Sequence, residues 1–118
     1  IERYNEAFKD MNVAVLPHYN EEHTSSGHLY IVRLLGKTRE ETNKVIEMMA
    51  ERGVATNVHY KPLPMMTAYK KLGFDIKDFP NAFHMFENEI TLPLNTKMTD
   101  EDLEYIISNF VEIVGNLF

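Results

Sequence analysis

Apolar residues at helical spacing mark the last part of the chain. Thr99 is followed by three acidic residues, 100–102, which are stabilising at the positive end of a helix. The apolar positions after them lie three or four residues apart and form one stripe, made of Leu103, Ile106, Ile107, Phe110, Val111 and Val114. This pattern predicts an amphipathic helix that Thr99 caps and Gly115 ends.

A second long helix is predicted between Thr38 and Gly53. Glu41 lies three residues after Thr38, which is the spacing of a capping box. Gly53 stands where a left-handed C-terminal cap is needed. The stripe that this helix is expected to bury consists of Val45, Ile46, Met49 and Ala50.

Three shorter helices complete the helical part. Residues 2–10 form the first, with an apolar stripe made of Tyr4, Ala7, Phe8 and Met11. The chain begins with Ile1 and has no capping residue before this stripe, so we expect the sequence to be a piece of a longer protein. The other two cover residues 67–72 and the stretch from Pro80, where one face carries Phe79, Ala82, Phe83 and Phe86.

Four short apolar runs predict β-strands. Residues 13–16 form the first, and residues 28–34 are apolar on both faces except at one arginine, which favours an interior strand covered on both sides. Residues 54–59 alternate with the period of a strand. Residues 90–94 alternate as well, but Pro93 cannot donate to a ladder, so this strand lies at an edge or ends there.

The order of the predicted elements indicates the fold class. It reads helix, strand, strand, helix, strand, two short helices, strand, helix. Three or four strands with helices over one face give an α+β sandwich. No repeat or low-complexity tract divides the chain, so residues 1–118 are predicted to form a single domain.

Composition narrows the classes of function. The chain has no cysteine, which excludes disulfides and thiolate metal sites and makes a reducing cytoplasm the simplest setting. Its formal net charge is −6, whereas a nucleic-acid-binding protein usually carries a basic face, so no nucleic-acid partner is expected. No apolar run approaches the length of a membrane span, so no membrane partner is expected either.

The most informative polar cluster follows the predicted strand at 54–59. His59, Tyr60 and Lys61 bring together an imidazole, a phenol and an ammonium group, which can bind phosphate or hydroxyl groups of a ligand. The alternative is that Tyr60 packs on the sheet and Lys61 is solvated, and the pattern alone favours this alternative. Two prolines, Pro62 and Pro64, stiffen the chain directly after the cluster and strengthen the binding interpretation.

Other polar groups have simpler explanations. Three histidines, at positions 18, 23 and 28, have the residue type for zinc, but their spacing matches neither a helix face nor a strand face. The paired carboxylates lie in the first turns of the two long helices, where capping accounts for them. A pyridoxal phosphate site needs a lysine and a carboxylate opposite the pyridinium nitrogen, and no segment here has a recognisable version of either.

Several segments resemble one enzyme family. They are the strand HLYIVRL at 28–34, the segment GVATNVHYKPL at 53–63, Ala68-Tyr69, the helix from Pro80, and ITLPLNTKMTDED at 90–102. Each is weak alone, but their order and spacing resemble the small C-terminal domain of the DegT/DnrJ/EryC1/StrS aminotransferases. The departures are Pro64, where many members have histidine, and the Asn95-Thr96 pair, where many have proline nearby.

The resemblance implies a fold of the aspartate-aminotransferase type, fold type I. The small domain of such an enzyme has a three- to four-stranded, mainly antiparallel sheet with helices packed on one face. The parent would be a cytoplasmic homodimer that uses pyridoxal phosphate to move an amino group, usually from glutamate, onto a nucleotide-linked keto sugar. The products commonly enter surface polysaccharides or amino sugars of bacteria.

The resemblance also assigns roles to individual residues. The segment that matches His59 and Tyr60 tends to approach the nucleotide-sugar substrate, often across the dimer interface, and Asn57 and Lys61 are weaker neighbours. The lysine that holds the cofactor belongs to the large domain, which is absent from this chain. We therefore expect the fragment alone to bind no pyridoxal phosphate and to be inactive.

Two other classes of function stay open from the sequence. Small α+β sandwiches often bind metabolites, so a regulatory module that binds a small molecule is the chief alternative. A purely structural interaction domain is the third, and it predicts no ligand effect when His59 or Tyr60 is changed.

Overall fold

The computed structural model describes residues 1–118 and contains eight regular elements. The helices are α1 (Glu2–Phe8), α2 (Arg39–Glu51), α3 (Thr67–Lys71), α4 (Pro80–Phe86) and α5 (Asp100–Leu117). The strands are β1 (Val13–Val15), β2 (Tyr30–Leu34) and β3 (Glu89–Leu92). All strand pairs are antiparallel, in the order β1-β2-β3, which confirms the predicted α+β fold with its mainly antiparallel sheet.

The hydrophobic core lies between one face of the sheet and the helices α1, α2 and α5. The alternate residues Tyr30, Val32 and Leu34 of β2 point into it and are fully or almost fully buried. Residues of α5 cover them, and the Phe8 ring of α1 lies 5.0 Å from the Phe110 ring of α5. The predicted stripe of α5 is buried at Ile106, Ile107 and Phe110, but it is wrong at Val111, which is 37% exposed, and it missed Ile113, which is fully buried.

Two buried tyrosines in this core have polar partners. The Tyr4 hydroxyl donates to the carbonyl oxygen of Pro93 at 2.8 Å, and the Tyr30 hydroxyl donates to Asn5 Oδ1 at 2.7 Å. Burial raises the pKa of both phenols, since an ionised ring would lose its hydration. Both rings thus stay neutral and serve as packing residues with satisfied hydroxyls.

Both long helices begin where the sequence predicts. Thr38 and Glu41 form a capping box at the start of α2, and Thr99 and Asp102 form another at the start of α5. The hydrogen bonds to these threonines lower the pKa of Glu41 and of Asp102. The predicted end of α5 is wrong, because the helix continues through Gly115 to Leu117. A glycine only weakens a helix unless the chain turns there into a left-handed conformation.

The second face of β2 is less covered than the sequence predicts. Ile31 and Arg33 point to this face and are half-buried. Arg33 donates to Asn88 Oδ1 and to the carbonyl oxygen of His84, both at 2.9 Å, so the end of α4 approaches the sheet here. The strand β2 is central in the sheet, as predicted, but only one of its two faces is fully buried.

The predicted strand at residues 54–59 is also wrong. This segment forms a single bridge, in which Asn57 and Thr91 exchange both backbone hydrogen bonds at 2.8 and 3.1 Å. The next two amide groups are used by side chains, because Val58 donates to Asn57 Oδ1 and His59 donates to the Glu89 carboxylate. The ladder therefore stops after one pair.

Residues 60–87, which we call the arm, contribute no buried residue to the fold. The arm contains α3, α4 and two short 3-10 turns at Leu63–Met65 and Ile76–Asp78. It nevertheless exposes many large apolar side chains, which include Tyr60, Leu63, Met66, Leu72, Phe74, Phe79 and Met85. Such a concentration of exposed apolar surface is typical of a region that packs on another protein surface.

Candidate functional site

The candidate site is built on the outer edge of β3. Ile90 and Leu92 point into the core, so the residues between and before them, Glu89 and Thr91, point to the opposite face. Both are nevertheless buried, at 4% and 5% exposure, because the segment around His59 covers them. A charged and a polar side chain are thus enclosed beneath the predicted binding cluster.

The Glu89 carboxylate anchors the backbone of His59. The amide of His59 donates to both carboxylate oxygens of Glu89, at 3.1 and 3.2 Å. The Thr91 hydroxyl donates to Glu89 Oε1 at 2.7 Å, and the same hydroxyl lies 2.9 Å from His59 Nδ1. Three side chains therefore form one continuous network that fixes both the backbone and the ring of His59.

Tyr60 extends from this network into solvent. Its side chain is 72% exposed, and its ring meets the His59 ring edge-on with 4.7 Å between the centroids. Beside the two rings lies a small pocket of about 120 Å³, lined by His59, Tyr60 and Glu89 together with Leu16, Ile31, Ala82, Met85 and Phe86. A pocket that is lined by aromatic rings and apolar side chains, with a few polar groups, can bind part of an organic ligand.

The other two predicted site residues are placed less favourably. The side-chain oxygen of Asn57 is occupied locally, since it accepts from the amide of Val58 at 2.8 Å. Lys61 is exposed and forms no salt bridge within the chain. The structure therefore brings His59 and Tyr60 together at the pocket, and it does not add Asn57 to them.

Sequence reasoning missed Glu89, Thr91 and a third residue, Arg39. One nitrogen of Arg39, Nη1, donates to the carbonyl oxygens of Phe86 and Glu89 at 2.8 and 2.9 Å, which ties α2 to the junction of α4 and β3. Burial lowers the pKa of Arg39, and the negative charge of Glu89 opposes that effect. The alternation of polar Glu89 and Thr91 with apolar neighbours was the available signal.

The three histidines that were considered as zinc ligands, at positions 18, 23 and 28, lie in different environments. His23 and His28 are exposed, whereas His18 is buried, and no group of three potential metal ligands comes together anywhere in residues 1–118. His18 stacks on Tyr30 with 5.6 Å between the ring centroids, and its Nδ1 lies 3.0 Å from the Ser25 hydroxyl. The buried ring thus has a packing role.

We expect His18 to make the stability of the chain depend on pH. Burial, and secondarily the N-terminal ammonium group, lowers the pKa of His18 below its ordinary value of 6.5, so the unfolded chain binds this proton more readily than the folded chain. The free energy of unfolding should therefore fall as the pH drops below about 6.5, by at most about 1.4 kcal/mol per pH unit for one proton. Urea unfolding between about pH 7.5 and 5 measures this.

The matched variants are His18→Gln and His23→Gln. The first should remove part of the pH dependence, and the second, at an exposed ring, should retain all of it. An identical slope in wild type and His18→Gln would contradict the expectation.

Comparison with known proteins assigns the chain to a family. Residues 1–111 match the DegT/DnrJ/EryC1/StrS aminotransferase family. The chain belongs to this family. The resemblance inferred from the sequence is therefore confirmed over nearly the whole chain.

Solved and curated members of the family show the same relationship. Spr1654 of Streptococcus pneumoniae, which is named as a sugar aminotransferase, has a PMP-form structure that superimposes with a TM-score of 0.96 at 48% identity over 99% of this chain and 29% of its own. The spore coat polysaccharide biosynthesis protein SpsC of Bacillus subtilis is 29% identical over 95% of this chain and 30% of its own length. A UDP-4-amino-4,6-dideoxy-N-acetyl-beta-L-altrosamine transaminase of Campylobacter jejuni is 29% identical over 76% of this chain and 24% of its own length.

The chain thus spans less than a third of the length of these family members. The Spr1654 structures include PLP and PMP forms, so the family implies pyridoxal phosphate as the cofactor. The residues around His59 do not suit that cofactor by themselves. The Glu89 carboxylate already accepts hydrogen bonds from His59 and Thr91. The Lys61 side chain is exposed to solvent, next to Pro62, so it does not face an enclosed pocket that could hold the cofactor ring.

No helix of this chain has both the length and the apolar character that crossing a bilayer requires.

Proposed function

We propose that the parent of this chain is a pyridoxal-phosphate-dependent aminotransferase that transfers an amino group from glutamate to a nucleotide-linked keto sugar. The observation that carries the proposal is the match to the aminotransferase family over residues 1–111, together with the 0.96 TM-score against Spr1654. The name of the Campylobacter jejuni relative, a transaminase named after a UDP-linked amino sugar, supports a nucleotide-sugar substrate. The name of SpsC supports a role in polysaccharide biosynthesis.

In this proposal the chain is the C-terminal small domain, and His59 and Tyr60 contact the nucleotide-sugar. Tyr60 offers a hydroxyl and a largely exposed ring, and His59 offers a ring nitrogen that its own network leaves free. Lys61, next along the chain, supplies an exposed positive charge that suits a diphosphate, and Asn57 is a weaker neighbour. When bound in the parent, the cofactor would supply the electron sink for transamination.

The arm is proposed to contact the rest of the parent. Its exposed apolar side chains, above all Leu72, Phe74 and Phe79, would pack on the large domain or on the second subunit of a homodimer. This placement would explain why residues 60–87 are rich in apolar side chains and yet contribute none to the core.

The experiment that tests the proposed activity uses the full-length parent expressed with pyridoxal phosphate. Its visible absorbance is recorded before and after glutamate is added. A cofactor band that converts to the pyridoxamine form supports an aminotransferase with glutamate as donor. A protein without any cofactor band would overturn the proposal and favour the regulatory binding module instead.

Replacing Tyr60 by phenylalanine tests the proposed role of this residue in the full-length enzyme. The change removes one hydroxyl and keeps the ring, so we expect KM for the nucleotide-sugar to rise roughly tenfold, which corresponds to the loss of about one hydrogen bond. The rate of the reaction with glutamate alone, which is monitored through the absorbance of the cofactor, should be unchanged. Steady-state kinetics with the two substrates varied separately measure both effects.

The matched control is Tyr19→Phe, which removes a hydroxyl from another exposed tyrosine outside the pocket. It should leave both reactions unchanged. Equal KM values for wild type and Tyr60→Phe would show that the Tyr60 hydroxyl does not bind the sugar nucleotide.

A further inference from the structure

The network beneath His59 determines which ring nitrogen carries a proton. A threonine hydroxyl has a single proton to donate. That proton is directed to Glu89 Oε1, 2.7 Å away, and an ionised carboxylate can only accept. The Thr91 oxygen can then only accept from its other neighbour, His59 Nδ1, at 2.9 Å. The Nδ1 atom must therefore carry a proton.

The second ring nitrogen has a different environment. His59 Nε2 makes no hydrogen bond within the chain, and it is not among the buried polar atoms that lack a partner. It is therefore accessible from solvent, on a ring that contacts Tyr60 and lines the small pocket. In the neutral ring with its proton on Nδ1, Nε2 holds a lone pair and is a hydrogen-bond acceptor.

We propose that Glu89 and Thr91 are positioning residues that keep the single proton of the neutral His59 ring on Nδ1, so that Nε2 accepts a hydrogen bond from a donor group of the ligand. Such a donor is a hydroxyl of a sugar ring and not a phosphate oxygen, which would itself need a donor. The identity of the ligand rests on the proposed function. The position of the proton rests only on the contacts of His59, Glu89 and Thr91.

The burial of the network explains why the preference is maintained. Glu89 and Thr91 are almost fully enclosed, so water does not compete for their hydrogen bonds. The His59 amide also binds the same carboxylate, which keeps the backbone and the ring in a fixed relation. The His59 ring is therefore already arranged, in the absence of ligand, to bind a ligand group that donates a hydrogen bond in preference to one that only accepts.

Nitrogen NMR of the 118-residue chain with labelled histidine tests the position of the proton. The spectra are recorded at about pH 8.5, where imidazole rings are neutral, and a His59→Asn variant assigns the resonances. We expect Nδ1 of His59 to show the shift of a protonated nitrogen and Nε2 that of an unprotonated one. In Thr91→Val both resonances should move towards an average because the second tautomer becomes populated, whereas Thr91→Ser should restore the wild-type shifts.

Two results would overturn the proposal: a wild-type ring protonated on Nε2, or a Thr91→Val ring identical to wild type. A merely structural role for Thr91 would leave the tautomer unchanged. The ligand part is tested separately in the full-length enzyme, where Thr91→Val should raise KM for the nucleotide-sugar severalfold and Thr91→Ser should not. If KM does not change, the donor assignment is wrong. If the full-length protein has no transaminase activity, the proposed function fails while the NMR result stands.

Discussion

Replacing Phe110 by alanine is expected to lower the free energy of unfolding by about 3–5 kcal/mol. Phe110 is fully buried at the centre of α5, and its ring packs against Phe8 with 5.0 Å between the centroids. The substitution removes apolar surface from the core and leaves a cavity that helices on both sides of it cannot fill. Urea unfolding followed by circular dichroism measures the change.

The matched control is Val111→Ala, the next residue of the same helix. Val111 is 37% exposed, so its truncation removes far fewer contacts and should cost less than about 1 kcal/mol. Similar losses for the two variants would mean that α5 does not bury the face described here.

Replacing Arg39 by methionine is expected to have the second largest effect, a loss of about 2–4 kcal/mol. Methionine keeps much of the length and apolar bulk of the side chain but removes its donors. The carbonyl oxygens of Phe86 and Glu89 would lose a charged partner, and the buried Glu89 carboxylate would lose a nearby positive charge. Urea unfolding of both proteins at one pH gives the difference.

Arg3→Met serves as the control for Arg39→Met. Arg3 forms two salt bridges, to Asp100 and Glu104 at 2.9 and 3.0 Å, but all three side chains are substantially exposed. Exposed ion pairs contribute little, so this variant should lose less than about 1 kcal/mol. If Arg39→Met were no more destabilising than Arg3→Met, the junction of α4 and β3 would not depend on Arg39.

The parts of the fold that the sequence predicts well depend on local chemistry. The capping boxes at Thr38 and Thr99 involve residues three positions apart, so they can be read directly from the chain. The predicted strand at 54–59 was wrong for the opposite reason. The amide of His59 binds Glu89, thirty positions away, and this long-range contact ends the ladder that the alternation predicted.

Some residues of the candidate site could likewise be predicted from the sequence, and others could not. His59 and Tyr60 were predicted from their residue types and from the family resemblance, and the structure brings both to one pocket. Glu89 and Thr91 were missed, because their alternation with apolar neighbours does not show that the segment around His59 covers them. Only their burial, and their distances to His59, identify them as a network.

The amino-acid sequence by itself determined the family, the α+β class, the positions of the long helices and the residue types of the binding cluster. The long helices and the fold class follow from side-chain periodicity and capping, which act over a few neighbouring residues, and the family follows from the resemblance of segments such as GVATNVHYKPL at 53–63. The tertiary structure alone decided that Arg39 supports β3, that the arm leaves its apolar side chains exposed, and that Thr91 directs the proton of His59. Each of these depends on contacts between residues far apart in the chain, whose distances and burial arise only when the sheet and helices pack together.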